Sequence, residues 1–259
     1  MSWLDRVHRV MESADPFGMP HFTPRHLLPL IDLTRLNDED SAEDLTTFFI
    51  KAERPFGAVQ SVCVIPKFVS LAKAHFVDSS IKICTVANFP SGAMPLEDVL
   101  GSINQSLAAG ADEIDVVFPY AKYLSRDKHY PRHFVESCKV ACGSKALLKM
   151  ILEIGALDNP YQIKEVSEIA VMGGADFIKT STGKISQGAT LEAAAVMLYV
   201  ITRFTHELNR PIGLKISGGI REIAQAMQYV ALVRCMMGEH FIKPATFRIG
   251  ASQLVDAIQ

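Results

Sequence analysis

Residues 173–184 read Gly173-Gly174-Ala175-Asp176-Phe177-Ile178-Lys179-Thr180-Ser181-Thr182-Gly183-Lys184. The glycines and Asp176 lead into a short run of strand character, Phe177 to Thr182, and Gly183 closes it. Strand side chains alternate between faces, so Phe177, Lys179 and Ser181 share one side. A lysine in mid-strand is unusual, because lysine is almost never fully buried without a partner. Lys179 therefore either stands on a solvated edge or is a desolvated amine able to form a Schiff base with a carbonyl compound. The segment alone leaves both readings open.

On either side of this stretch, apolar β-branched runs alternate with longer segments of helical period. The strand-like runs are Leu28 to Leu33, Val59 to Ile65, Ile81 to Phe89, Glu113 to Phe118, Leu147 to Ile154, Phe177 to Thr182, Ile212 to Ser217 and Phe247 to Ala251. Helical segments include Ala42 to Ala52, Leu96 to Ala109, Tyr161 to Met172 and Thr190 to Leu208. Such alternation implies parallel strands joined by right-handed crossovers. Eight units in 259 residues imply an α/β fold, a closed (β/α)8 TIM barrel in a single domain over residues 26–259. An open doubly wound sheet would carry a glycine-rich fingerprint after its first strand, but Thr34-Arg35-Leu36-Asn37-Asp38 stands there instead. Gly110-Ala111-Asp112-Glu113-Ile114-Asp115 echoes Gly174 to Lys179, which puts Asp115 and Lys179 at equivalent points of alternate units. Chance remains an alternative for so short an echo.

Strands of a parallel sheet are covered on both faces and normally read as unbroken apolar runs. Here they carry Asp32, Asp115, Lys149, Glu153, Lys179 and Lys215 in mid-run. Buried charges need partners, so the set implies a shared polar centre or a purely structural ion-pair network. Within it, Lys179 and Lys215 suggest chemistry. Two ammoniums at ~4 Å repel by about 4 kcal/mol at an effective dielectric of roughly 20. That suffices to free one amine near neutral pH, and desolvation acts in the same direction. An imine on that amine is an electron sink, and Asp115 is placed to move protons.

Barrels often hold phosphate on backbone N–H groups after strands seven and eight. Ser217-Gly218-Gly219-Ile220-Arg221 and Gly250-Ala251-Ser252-Gln253 occupy those places, with Lys184 beyond Gly183 as a further charge. Ordinary tight turns are the competing reading.

The net charge of -2 and pI near 6.4 argue against nucleic acid or a membrane surface as partner. The apolar run Ala193 to Thr202 is too short to span a bilayer. Met1 to Arg6 has no signal-peptide core, and a cytoplasmic protein is expected. Five unpaired-looking cysteines, Cys63, Cys84, Cys138, Cys142 and Cys235, do not form a disulfide framework. Neither Cys138/Cys142 nor His129/His133 is expected to hold a metal. Pro131 is expected to break the helix that would align the two histidines. Residues 1–25 form a leader with a short amphipathic helix and a proline-punctuated link. It caps the domain or contacts a second subunit of a homodimer, and both options stand.

Together these residues resemble the deoxyribose-phosphate aldolases, a family of class I aldolases. The resemblance runs from Leu30 to Leu254. It rests on Asp32-Leu33-Thr34, Val62-Cys63-Val64, Val86-Ala87-Asn88-Phe89-Pro90, Gly110 through Val117, Asp176 through Lys184, and Lys215 through Arg221. It implies reversible cleavage of 2-deoxy-D-ribose 5-phosphate to D-glyceraldehyde 3-phosphate and acetaldehyde, with no metal or other cofactor. It implies Lys179 as the Schiff-base residue, Lys215 as the amine that perturbs it and Asp115 as the acid/base. By the same resemblance Asp32, Cys63 and Lys149 line the substrate site, and Gly183, Lys184, Gly218, Gly219, Gly250 and Ser252 bind phosphate. A class I aldolase for another sugar phosphate and a non-catalytic barrel that binds a phosphorylated metabolite are the alternatives. Three departures stand out. Glu153-Ile154-Gly155 replaces a common Glu-Thr-Gly, Ser252-Gln253 replaces paired serines, and the chain stops at Gln259 without the tyrosine-ended tail of some members. Slower proton exchange at the acetaldehyde methyl is the expectation from the last.

Overall fold

The computed structural model describes residues 2–259 except 17, 19 and 128. Of the leader, residues 1, 17 and 19 lie outside the described residues. Eight parallel strands close into a barrel: β1 (Ile31–Arg35), β2 (Ser61–Val64), β3 (Lys82–Ala87), β4 (Glu113–Val117), β5 (Leu147–Ile151), β6 (Phe177–Lys179), β7 (Gly213–Ser217) and β8 (Phe247–Ala251). Each strand pairs with its neighbour in sequence, and β8 closes on β1 with Asp32 opposite Gly250. A small antiparallel pair, Glu53–Arg54 with Gly57–Ala58, lies outside the barrel.

The strands divide their faces by period two. Ile114, Val116, Leu148, Met150, Ile178, Leu214, Ile216 and Ile249 point outward and merge with the buried faces of the helices into one apolar layer. The opposite parity, with Asp115, Lys149, Lys179 and Lys215, fills the interior. The main hydrophobic core is thus the annulus between strands and helices. The barrel axis holds the charges.

The surrounding helices are α2 (Ala42–Phe49), α3 (Val69–His75), α4 (Leu96–Ala108), α5 (Tyr120–Leu124), α6 (Tyr130–Cys142), α7 (Pro160–Met172), α8 (Leu191–Leu208), α9 (Ile223–Met237) and α10 (Leu254–Ala257). Their starts follow capping chemistry. Ser41 and Asp44 form a reciprocal capping box on α2, Asn159 caps α7 ahead of Pro160, and Thr190 accepts from the Ala193 N–H on α8. The leader helix, α1 (Trp3–Ser13), packs against α8 and α9, with Trp3 against Tyr161 and Tyr199.

Several boundaries differ from the sequence reading. β1 starts at Ile31, because Pro24–Leu30 forms a 3-10 helix. Pro29 has no N–H to give to a sheet ladder. The ladder of β5 stops at Ile151, two residues short of Glu153, which adopts a left-handed conformation. The β6 ladder ends at Lys179. Pro131 does not break α6; it sits in the first turn, where its missing N–H costs nothing.

Candidate active site

A layer of seven charged side chains crosses the barrel axis. Lys149, Lys179, Lys215 and Arg248 face Asp32, Glu113 and Asp115, and all are essentially buried. Asp115 is central. Its Oδ2 accepts from Lys179 Nζ at 2.7 Å and from Lys215 Nζ at 2.8 Å, and its Oδ1 from Lys149 Nζ at 3.0 Å. Local register accounts for this. Asp115 is the cross-strand partner of Lys149, and Lys179 is that of Lys215. Barrel closure then brings the two pairs face to face.

Each cation has a distinct set of carboxylates. Lys149 contacts Asp115, Asp32 at 3.3 Å and Glu113 at 2.6 Å. Lys215 contacts Asp115 and approaches Asp32 Oδ2 at 2.6 Å, as an ion pair off the line of a hydrogen bond. Arg248 bridges Asp32 Oδ1 at 2.6 Å and Glu113 Oε1 at 3.0 Å. Among the described residues, Lys179 pairs with Asp115 alone.

Burial pushes the Asp115 carboxyl up, but the three ammoniums outweigh it and hold it well below the usual carboxylate range. Asp32 is likewise held down against burial by Lys149, Lys215 and Arg248. Burial would lower Lys215, yet Asp115 and Asp32 raise it above an ordinary lysine, and the carboxylates raise Lys149 in the same way. This corrects the simple crowding argument. A carboxylate oxygen lies between the two lysines, and it binds the proton of Lys215 more firmly instead of loosening it. What remains is a count: four cations against three carboxylates leave one positive charge in excess.

Above this layer opens a cavity of about 660 Å³. Lys179 is the member of the charged layer that lines it. Its other walls include Gly183, Lys184, Gly218, Gly219, Gly250 and Ser252, with Thr34, Arg221 and Gln253. Gly218 and Gly219 both have positive φ, at 89° and 84°, which an L side chain rarely adopts. Their turn brings bare backbone to the cavity wall. Lys184 reaches across the rim to the Leu36 carbonyl at 2.8 Å, tying the β6 loop to the β1 loop.

The remaining residues singled out from the sequence lie elsewhere. Asp32 and Lys149 are fully buried beneath the cavity floor. Cys63 sits inside the barrel as the cross-strand partner of Cys84. Its thiol is lowered by a hydrogen bond with Cys84, whereas burial pushes Cys84 well up. Cys84 Sγ also lies 3.2 Å from Asp115 Oδ1. By distance these two sulfurs and Asp115 form a potential ligand set for a metal ion. The Lys149 ammonium, 3.3 Å from Cys84 Sγ and 3.0 Å from Asp115, already places positive charge there. Glu153 does not join the charged layer; its carboxylate turns to Thr182. Glu113 and Arg248, by contrast, belong to the layer and were not singled out. Glu113 opens its run and Arg248 is second in its own, and Glu113 shares parity with Asp115, so the signal was present.

Among the described residues, no helix is long and apolar enough to cross a membrane. The fold and site have counterparts. A Toxoplasma gondii protein assigned as a deoxyribose-phosphate aldolase is 27% identical, with a TM-score of 0.84 over 92% of this chain and 93% of that one. The deoxyribose phosphate aldolase of Aeropyrum pernix, described as tetrameric, is 25% identical, with a TM-score of 0.73 over 97% and 96%. A Coccidioides immitis protein with the same assignment, at 23% identity and a TM-score of 0.79 over 98% and 95%, shares the fold. The model of the DeoC/LacD family aldolases matches residues 27–252, and with a lysine facing the cavity over a buried carboxylate, the chain belongs to that family.

Proposed function

We propose that the protein cleaves 2-deoxy-D-ribose 5-phosphate reversibly to D-glyceraldehyde 3-phosphate and acetaldehyde through an imine on Lys179. One observation carries the assignment of the nucleophile. Lys179 is the cation with the fewest carboxylate contacts and the one that meets the cavity. Removing its proton breaks one ion pair and leaves three cations against three carboxylates. Removing a proton from Lys215 or Lys149 would break more.

The free amine of Lys179 adds to the C1 aldehyde of the open-chain sugar, and loss of water gives an iminium. Asp115, a carboxylate at working pH, takes the proton of the C3 hydroxyl. The C2–C3 bond then breaks, its electron pair moves toward the iminium to form an enamine, and glyceraldehyde 3-phosphate departs. Protonation of the enamine carbon and hydrolysis release acetaldehyde and restore the amine. Lys215 stays an ammonium and stabilises Asp115 as the anion. The turns at Gly183, Gly218–Gly219 and Gly250–Ser252, with Lys184 at the rim, receive the phosphate. The buried, unpaired thiols suit a reducing compartment, in keeping with a cytoplasmic enzyme.

Borohydride reduction in the presence of the sugar phosphate, followed by peptide mass mapping, tests the reading. The expected adduct is on Lys179. An adduct on Lys149 or Lys215, or no release of acetaldehyde, would overturn it.

A further inference from the structure

Glu153 is a fully buried carboxylate that the charged layer leaves aside. Among the described residues it makes no ion pair. Its side chain accepts from one residue, Thr182: from the hydroxyl at 2.5 Å and from the backbone N–H at 3.2 Å. Burying a carboxylate without a cation is costly. The backbone there is also unfavourable, since Glu153 has φ 52° and ψ 60°, a region L residues seldom occupy. Two costs at one position call for a compensating role.

The surroundings show what the arrangement does. The N–H groups on either side, of Leu152 and Ile154, bond to the Lys179 and Thr180 carbonyls at 2.8 and 3.0 Å. The chain is thus pinned to the last residue of β6 before Glu153 and to the residue following β6 after it, and the left-handed residue between turns its carboxylate onto Thr182. A hydroxyl has one proton. By giving it to Glu153, Thr182 Oγ1 keeps its lone pairs for the Lys184 N–H, at 3.0 Å. Glu153, Thr182 and Lys184 form a directed chain of hydrogen bonds that encloses Gly183, on the cavity wall.

We propose that Glu153 is a positioning residue for the phosphate group of the ligand: it fixes Thr182 and thereby the shape of the Thr182–Gly183–Lys184 turn against which the phosphate rests. This deepens the proposed function and rests on the same cavity. It predicts a defect confined to phosphorylated ligands, because among the described residues the Glu153 side chain forms no ion pair with Lys179 and no hydrogen bond with Asp115.

The test compares Glu153→Gln with the unaltered enzyme on 2-deoxyribose 5-phosphate and on unphosphorylated 2-deoxyribose, and measures inorganic phosphate binding by calorimetry. The expected result is a KM raised about tenfold for the phosphorylated sugar, the scale of one charge-assisted hydrogen bond. The kcat should stay within about twofold, kcat/KM for 2-deoxyribose should be unchanged, and phosphate affinity should be weakened to match. Thr182→Ser, which keeps the hydroxyl, should retain most of the phosphate affinity that Thr182→Val loses. Thr182→Val should reproduce the KM defect, and it also serves if Glu153→Gln fails to fold. Equal losses on both sugars, or unaltered phosphate binding in a folded variant, would overturn the proposal. The phosphate measurement does not need turnover. Weakened binding in an enzyme that cleaves neither sugar would refute the aldolase substrate and leave the role of Glu153 standing.

Discussion

Arg248 on β8 places Nη1 2.6 Å from Asp32 Oδ1 on β1, a buried ion pair across the seam where the last strand meets the first. The same guanidinium holds Glu113. Removing one partner of a buried pair leaves the other charge uncompensated, typically at a cost of about 3–5 kcal/mol. Arg248→Met is expected to lower the urea-unfolding free energy by roughly that much. A loss below about 1 kcal/mol would show that the pair is not needed to close the barrel.

Charge balance separates the two lysines on β6 and β7. Lys179→Met removes the excess cation and leaves the layer neutral, so activity should vanish while Tm holds or rises. A Tm drop above about 5 °C, roughly 2 kcal/mol for a chain of this size, would contradict the balance.

Lys215→Met acts differently. The three remaining cations, Lys149, Lys179 and Arg248, then match three carboxylates only if Lys179 is charged. The excess cation that favours the free amine is gone, so kcat/KM should fall roughly 100-fold. A kcat/KM within about threefold of that of the unaltered enzyme would refute this account of Lys215.

Stability should be flat near neutrality and fall at both extremes. Asp32 and Asp115 are depressed in the folded chain. The stability they contribute is present above the unfolded carboxyl pKa of about 3.9 and is lost as pH falls from there toward their folded values. Lys149 and Lys215 are raised. Their contribution is present below the unfolded lysine pKa of about 10.4 and is lost as pH rises beyond it. Urea midpoints measured across pH should show a plateau from roughly pH 5 to 9. An acid limb as steep in Asp115→Asn as in the unaltered protein would argue against the assignment.

Cysteine labelling reports on the outer layer. Cys235 is exposed, whereas burial pushes the Cys142 thiol up to about 11 and raises Cys138 further. Thiolate is the reactive form. Iodoacetamide at pH 8 is therefore expected to modify Cys235 first and to leave Cys138 and Cys142 intact until the protein unfolds. Early labelling of either buried thiol, read by peptide mass, would indicate that α6 opens locally.

Local physics was legible before any coordinates. The alternation of β-branched runs with helical periods determined the barrel, because each unit needs its neighbour to bury its apolar face. Period two determined that Asp115, Lys149, Lys179 and Lys215 point one way while Ile114, Met150, Ile178 and Ile216 point the other. Only the tertiary structure decided which charges meet. Asp115 is 64 residues from Lys179 and 100 from Lys215, and its place between them follows from closure and register, which no local spacing encodes. The same holds for Arg248 and Glu113, 135 residues apart, which the sequence did not single out and the barrel joined. Glu153 went the other way. Parity put it among the lysines, and a single left-handed residue turned it to Thr182, because a backbone dihedral outside the strand region ends the alternation on which parity depends.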